Sequence, residues 1–327
     1  METFSTNEII QVDLMEAFHQ FFGLNIIESV PIQRGWLNLK WKITTNNGTF
    51  LLKQYNKQRY KDYNFDDLLR AFSQQERLHG LGLACPRLFN HEGQVFMESE
   101  RRERFLVMEF CSGTLVSPGE ANIHQLYELG KATGKMHRWL NDGTLRSKST
   151  TKLVLSSREE RLAHWDSVWK QAEEADKKEL LADIETQRKA TEMIHIEMMD
   201  AHSPGWAHRD LWADNVLFND DKLSAILDFD RLDYDYPQLD IARAVMSFAW
   251  DKQLKLPLVS AFMVGYREEH TMVEGCLTRS LQWLWYMESV WWINANMDEH
   301  SVPIRFAKEM NWLARNYKVL PDLLADM

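Results

Sequence analysis

Residues 208–240 read HRDLWADNVLFNDDKLSAILDFDRLDYDYPQLD. His208-Arg209-Asp210 is followed, five residues after the Asp, by Asn215, and an apolar run then ends in Asp228-Phe229-Asp230. Val216-Leu217-Phe218 and Leu223 to Leu227 have the branched and aromatic character of short strands, with Asn219-Asp220-Asp221 as the turn between them. The pattern predicts a carboxylate and an amide on one tight loop, and a hairpin that carries a second carboxylate to a neighbouring end. Phosphoryl transfer from ATP needs such a set: an acidic residue to orient the attacking hydroxyl, and oxygen ligands for Mg²⁺ on the phosphates. A lone HxD triplet arises in many chains. HxDxxxxN followed thirteen residues later by an Asp at the end of an apolar strand is far more specific. The plainer alternative is an Asx-rich loop beside an ordinary hairpin.

On these residues the chain resembles the protein-kinase-like superfold. The resemblance is closer to its aminoglycoside phosphotransferase, choline kinase and homoserine kinase type II-like branch than to the protein kinases. A protein kinase would carry a long activation segment ending in Ala-Pro-Glu. Here only a short loop with Tyr236-Pro237 precedes the helical run Ile241-Ala242-Arg243-Ala244-Val245, and Trp212 stands where many Ser/Thr kinases have a lysine. A small-molecule acceptor fits better than a protein. The resemblance implies an α+β, bilobal fold: a small lobe over residues 1–110, with an antiparallel sheet plus helix, and a large, mostly helical lobe over 111–327. It further implies that Asp210 orients the acceptor hydroxyl, that Asn215 and Asp228 hold Mg²⁺, and that Asp240 buttresses the loop. Arg209 departs from the antibiotic-kinase pattern, which usually has Gly there.

Upstream, residues 6–22 form a helical face ended by Gly23, and Leu37, Leu39, Trp41 and Ile43 alternate as a strand. Asn46-Asn47-Gly48 makes a hairpin turn into Thr49 to Tyr55. Lys53 follows the apolar run Phe50-Leu51-Leu52, the place where the resembling fold binds the α- and β-phosphates; an exposed strand lysine is the plain reading. By the same resemblance Gly35 and Asn38 belong to the loop over the phosphates, and Glu76, on an amphipathic helix over 65–80, is the partner of Lys53. Cys85-Pro86 opens a strand pair, Arg87 to Phe89 and Gln94 to Met97, about a Glu92-Gly93 turn. Arg104 to Cys111 is a buried strand that the resemblance makes the hinge: Met108 fronts the adenine, and the backbones of Glu109 and Cys111 supply acceptor and donor.

In the large lobe, residues 122–140 read as a helix containing His137, and 157–200 as two charged helices. The stretch 254–326 is helical and rich in aromatics. Trp283, Trp285, Tyr286, Trp291 and Trp292 there suggest either core packing, which we favour, or a cage for a quaternary ammonium group. Asp230, Asp233 and Asp235 crowd the loop near the expected acceptor site, a setting suited to a cationic, amine-bearing alcohol.

The chain has 327 residues, 45% hydrophobic, with a formal charge of -10. That is enough to bury a large core, and the acidity argues against nucleic acid as a partner. Three cysteines without CxxC spacing suggest reduced thiols. The N-terminus lacks a signal-peptide pattern and no long apolar run spans a membrane, so the expected setting is cytoplasmic. A dinucleotide oxidoreductase is excluded because no GxGxxG follows a strand. The remaining rival to an ATP- and Mg²⁺-dependent kinase of a small molecule's hydroxyl is a catalytically silent kinase fold serving as a scaffold.

Overall fold

The computed structural model describes residues 6–33, 38–61, 64–194, 203–296, 301–325 and 327. The chain divides into two compact units, residues 1–114 with 224–232, and residues 115–223 with 233–327. Thus the sequence-derived boundary at 110 moves to 114, and the segment around Asp228 is counted with the first unit.

The first unit contains α1 (Thr6–Phe22), β1 (Ile26–Pro31), β2 (Lys40–Thr45), β3 (Gly48–Tyr55), a short α2 (Lys57–Tyr60) and α3 (Phe65–Gly80). It continues through β4 (Leu88–Phe89), β5 (Met97–Glu98) and β6 (Arg104–Glu109). The antiparallel sheet runs β1-β2-β3-β6-β4, with β5 also on β6. Strand side chains alternate between faces, and this alternation sorts the core. Phe50 and Leu52 of β3, with Phe105 and Val107 of β6, pack against Leu14, Ala17 and Phe18 of α1. Tyr55 of β3, with Leu106 and Met108 of β6, packs against Leu68 and Phe72 of α3. Lys53 is paired in register with Leu106, and by the same period it shares the face of Tyr55.

The α3 helix starts where Asn64 accepts a hydrogen bond from Asp66 N–H. Asp66 and Asp67 lie in its first turn and Arg77 and His79 in its last, charges that suit the helix dipole at both ends. One expectation fails here. Arg87 to Phe89 and Gln94 to Met97 do not form a hairpin with each other; β4 and β5 both pair with β6. Only the bridge between His91 and Gln94 closes the intervening turn, with Glu92 at φ 52° and Gly93 at φ 82°. The long β6 offers a continuous row of backbone partners, which two short strands share.

The second unit begins with α4 (Ile123–Leu140), capped by a reciprocal Asn122 and Gln125 capping box, then α5 (Arg158–Glu174) and α6 (Lys178–Glu192). Of the expected second charged helix, residues 195–200 lie outside the described residues. The strand β7 (Gly205–Ala207) later pairs with β10 (Asp233–Asp235). Between them, β8 (Val216–Asn219) and β9 (Lys222–Ile226) form the two-stranded ribbon anticipated from sequence, turning at Asp220 with φ 51°. The helix α7 (Pro237–Ala249) starts on a proline, whose missing N–H costs nothing at that position, and is buried along nearly its whole length. The small strands β11 (Trp250–Asp251) and β12 (Gln253–Leu254) lead to α8 (Leu256–Glu269), α9 (Cys276–Trp292), α10 (Ser301–Asn316) and α11 (Leu320–Leu323).

α4 and α8 meet backbone to backbone. A methyl group on Gly130 would run into the carbonyl of Phe262, and one on Gly265 into that of Tyr127; at Gly134 it would lie 2.7 Å from Tyr266 O. Trp283, Trp285 and Tyr286 are core, at 2%, 0% and 0% exposure, so they do not cage a ligand. Trp285 donates to Gln187 Oε1 at 2.6 Å. Among the described residues no helix is long and apolar enough to cross a membrane.

Candidate active site

The motif loop of the second unit leaves β7 at Ala207 and is fastened from behind by one carboxylate. Asp240, 2% exposed at the start of α7, accepts His208 N–H on Oδ2 and Arg209 N–H on Oδ1, each at 2.7 Å. His137 Nε2 donates to the same Oδ2 at 3.1 Å, and its Nδ1 faces Tyr266 Oη at 3.0 Å. With Nε2–H committed to a carboxylate, Nδ1 is the acceptor and the tyrosine the donor. The buttress read from sequence at Asp240 is therefore present, and His137 is its packed support.

Arg209 has φ 67°, a backbone region in which glycine is unstrained. A left-handed conformation costs a side-chain-bearing residue roughly 1–2 kcal/mol. In this chain the backbone bond to Asp240 and an ion pair from Arg209 Nε to Asp235 at 2.6 Å offset that strain. The loop then turns through Trp212, whose N–H donates to Asp210 O at 3.2 Å, while Ala213 N–H is taken by Ser247 Oγ at 2.8 Å. Asn215 closes the turn: its Nδ2 donates to Asp210 O at 2.8 Å and to Asp210 Oδ2 at 2.9 Å. One amide thus fixes the Asp210 side chain with its N–H and keeps its own oxygen available for another partner.

The first unit gathers a second group of charges. Lys53 Nζ, on a residue 3% exposed, donates to Asp228 Oδ1 at 2.9 Å and to Asp230 Oδ2 at 2.6 Å. Tyr55 Oη donates to the other Asp230 oxygen at 2.7 Å. Burial by itself would lower the ammonium of Lys53, but the two carboxylates outweigh it and hold its pKa above the usual range. Burial, and then the neighbouring Asp228, push the Asp230 carboxyl up against the pull of Lys53. Asp228 is at φ 60° and ψ 66°, a left-handed geometry of the kind that proteins retain at functional positions. Ahead of it, Ile226 N–H donates to Ala84 O at 2.8 Å, fixing the end of the strand.

Several expected roles change or narrow. Glu76 does not pair with Lys53; its Oε1 accepts the Leu88 N–H. The reason is local: Lys53 already lies between two carboxylates, and Glu76 supports β4, beside Gln75, whose Nε2 donates to Pro86 O at 2.8 Å. Asn38 Oδ1 accepts Asn56 N–H at 3.2 Å, a brace within the unit, while Gly35 lies outside the described residues. Met108 is buried at 8% on the α3 face of the sheet, and Glu109 N–H donates to Arg87 O at 2.8 Å. The Cys111 thiol is half-buried and unpaired, with burial pushing its pKa up to about 11.

The acidic cluster expected to receive a cationic acceptor is neutralised from within. Asp230 faces Lys53, Asp233 faces Lys148 and, at 3.6 Å, Lys152, and Asp235 faces Arg209. Sequence reasoning missed the roles of Asp230 and Tyr55 as partners of Lys53. The period-two spacing of Lys53 and Tyr55 on β3 carried a signal for Tyr55; nothing local marked Asp230.

The donor chemistry suits a hard divalent cation. Asp228 in the first unit and Asn215 in the second each carry a side-chain oxygen, the atom type that Mg²⁺ takes, and Mg²⁺ is commonly held by one or two side chains together with substrate phosphates rather than by a full protein cage. Among the described residues no three His, Cys, Asp or Glu side chains gather into such a cage.

Known proteins resemble this chain in sequence and in fold. The model of APH, the phosphotransferase enzyme family, matches residues 28–275. A homoserine kinase of Bartonella henselae is 26% identical over 233 residues, covering 70% of this chain and 67% of its own length. The fold is similar to that of a microcompartment-associated aminopropanol kinase, with TM-score 0.65, 16% identity and coverage of 96% and 98% of the two chains. An amicoumacin kinase in complex with AMP-PNP, Ca²⁺ and Ami superposes with TM-score 0.62, 16% identity and coverage of 96% and 97%.

Proposed function

The chain belongs to the phosphotransferase enzyme family, small-molecule kinases that phosphorylate hydroxyl groups, and from that premise we propose how its residues divide the work. Asp210 orients the acceptor hydroxyl and takes its proton, with Asn215 Nδ2 setting the carboxylate's direction. Lys53, steadied by Asp230 and Tyr55, engages the inner phosphates of ATP. Asn215 Oδ1 and Asp228 would hold Mg²⁺, which would supply positive charge to the transferring phosphoryl group. Met108 borders the adenine, and the Glu109 and Cys111 backbones recognise its edge. Glu76 serves the sheet through Leu88 rather than the lysine. The unpaired cysteines support a reducing, cytoplasmic setting.

The observation that carries this reading is the Asn215 to Asp210 hydrogen bond on a loop anchored by Asp240. That loop presents one carboxylate in a fixed direction, which is what proton removal from an incoming hydroxyl requires. The test is ADP release from ATP and Mg²⁺ across a panel of amino alcohols, hydroxy acids and sugars. We expect turnover with at least one acceptor, and a loss of about 10²–10⁴-fold in Asp210→Asn, the scale of a positioned acid or base. No acceptor-dependent ADP release, or wild-type turnover by Asp210→Asn, refutes it.

A further inference from the structure

The first unit carries a cavity that the kinase chemistry does not use. It measures about 480 Å³ and, among the described residues, is lined by Tyr55, Lys57, Lys61, Glu98, Arg102 and Arg104. Four of these six side chains are cationic and one is a carboxylate, in a chain whose formal charge is -10. The walls come from the end of β3, from α2 and the residue after it, and from β5, β6 and the turn that joins them.

The rim is fixed by the protein itself. Asp13, 5% exposed on α1, accepts the Ser99 hydroxyl and, at 3.3 Å, the Arg101 N–H. Arg102 N–H donates to Ser99 O at 2.9 Å, closing a turn in which Arg102 takes φ 61°. That left-handed conformation costs a residue with a side chain about 1–2 kcal/mol, so the anchored turn holds Arg102 in a shape it would not adopt alone. Lys57 Nζ is paired with Glu103 and donates to Arg101 O at 3.2 Å. Arg104 Nε is paired with Glu98 at 3.2 Å, and its guanidinium lies over the Phe65 ring at 5.3 Å.

Charge and size narrow the ligand. With Glu103 behind Lys57 included, four positive groups stand against two negative ones. Among the described residues Lys61 and Arg102 form no ion pair. An excess of two positive charges matches the dianion of a phosphate monoester, whereas a single carboxylate would leave one charge uncompensated. The arginine fork suits phosphate oxygens, and a lysine adds a point charge beside it. The volume lies in the range of small-molecule sites, well beyond what one phosphate group fills, and Tyr55 gives the lining an aromatic side chain. The same tyrosine donates to Asp230, so the cavity adjoins the group that steadies Lys53.

We propose that this cavity is a second binding site, separate from the residues assigned to nucleotide and acceptor, and that it takes a phosphate monoester of a small organic molecule, with Lys61 and Arg102 meeting the phosphate.

Calorimetry on the full chain tests this, with AMP-PNP and Mg²⁺ at saturation so that the nucleotide's own phosphate contacts are filled. The probes are phenyl phosphate, inorganic phosphate, which lacks the organic body, and benzoate, which carries one negative charge. None has an alcohol, so none can serve as acceptor. At about pH 7.5, where a phosphate monoester is largely the dianion, phenyl phosphate should bind more tightly than either control. The double variant Lys61→Gln/Arg102→Gln should weaken it by about 10-fold, the low end for charge-assisted hydrogen bonds because both side chains are exposed. For the same reason its thermal unfolding should match wild type. Glu98→Gln releases Arg104 and should tighten phenyl phosphate by about 3-fold, a gain that damage to the fold cannot produce. The proposal is overturned if benzoate or inorganic phosphate binds as well as phenyl phosphate, or if the double variant binds it like wild type. It is also overturned if Glu98→Gln weakens it. No turnover is needed, so the outcome is independent of whether the chain phosphorylates any alcohol.

Discussion

Asp240→Asn is the substitution on which the description of the loop can be tested most sharply. The carboxylate uses both oxygens at once: Oδ2 receives His208 N–H and His137 Nε2, and Oδ1 receives Arg209 N–H. A carboxamide has a single oxygen. Whichever way it is turned, one backbone N–H at 2.7 Å faces an NH₂ group instead of an acceptor. Losing a hydrogen bond to a charged group and leaving a buried donor unsatisfied should cost about 2–4 kcal/mol. The strain at Arg209, φ 67°, then loses part of its compensation, so the turn should relax toward ordinary backbone angles and displace Asp210. A displacement of about 1 Å at the reacting group costs on the order of 10²-fold in turnover. Urea unfolding and steady-state kinetics read the two effects, and ATP affinity measured without Mg²⁺ should change little, because Lys53 and its partners lie in the other unit. A variant within about 0.5 kcal/mol of wild type and with normal turnover would show that Asp240 does not anchor the loop.

The reassignment of Lys53's partners makes a paired prediction. Asp230→Asn should destabilise the protein by about 1.5–3 kcal/mol, as expected for a buried charged hydrogen bond. Glu76→Gln keeps an acceptor for the Leu88 N–H and should cost less than about 1 kcal/mol; the reverse order in urea titrations would contradict the assignment. His164 tests the acid limb: burial, then Arg161, lower its pKa below 6.5. Its contribution is fully present above the unfolded value and lost as pH falls from that value toward the lowered one. His164→Gln should therefore flatten the decline in urea midpoint below about pH 6, and an unchanged decline would assign it to other groups.

Much of the site was legible because its parts are local. Asp210, Asn215 and the β8–β9 ribbon fall within one run of sequence, and turn residues with strand residues on either side reveal such a unit without knowledge of the rest. Lys53 was legible from its place after an apolar strand run, but its burial was not, since an exposed strand lysine reads the same. What sequence could not supply was the choice among distant carboxylates. Glu76 and Asp230 are both acidic residues in plausible positions, and only the sheet register with the backbone turn at Asp228 decides that Lys53 meets the second. The β4–β5 pairing failed for a similar reason, since a turn signal cannot tell whether two short strands prefer each other or a longer neighbour. The aromatic run in α9 was ambiguous because a tryptophan stripe looks the same whether it meets a ligand or another helix.

The glycine contacts between α4 and α8 have a consequence for how this protein tolerates genetic variation. His137 and Tyr266 each belong to one of these two helices, and they meet only because Gly130, Gly134 and Gly265 let the backbones touch. A single added methyl at that seam would pry the helices apart and withdraw His137 from Asp240, disarming Asp210 without altering any residue that meets nucleotide or acceptor. Screens for loss of function should therefore recover conservative-looking alanine and serine variants at these remote glycines, and they would be misread as neutral by anyone inspecting the reaction centre alone.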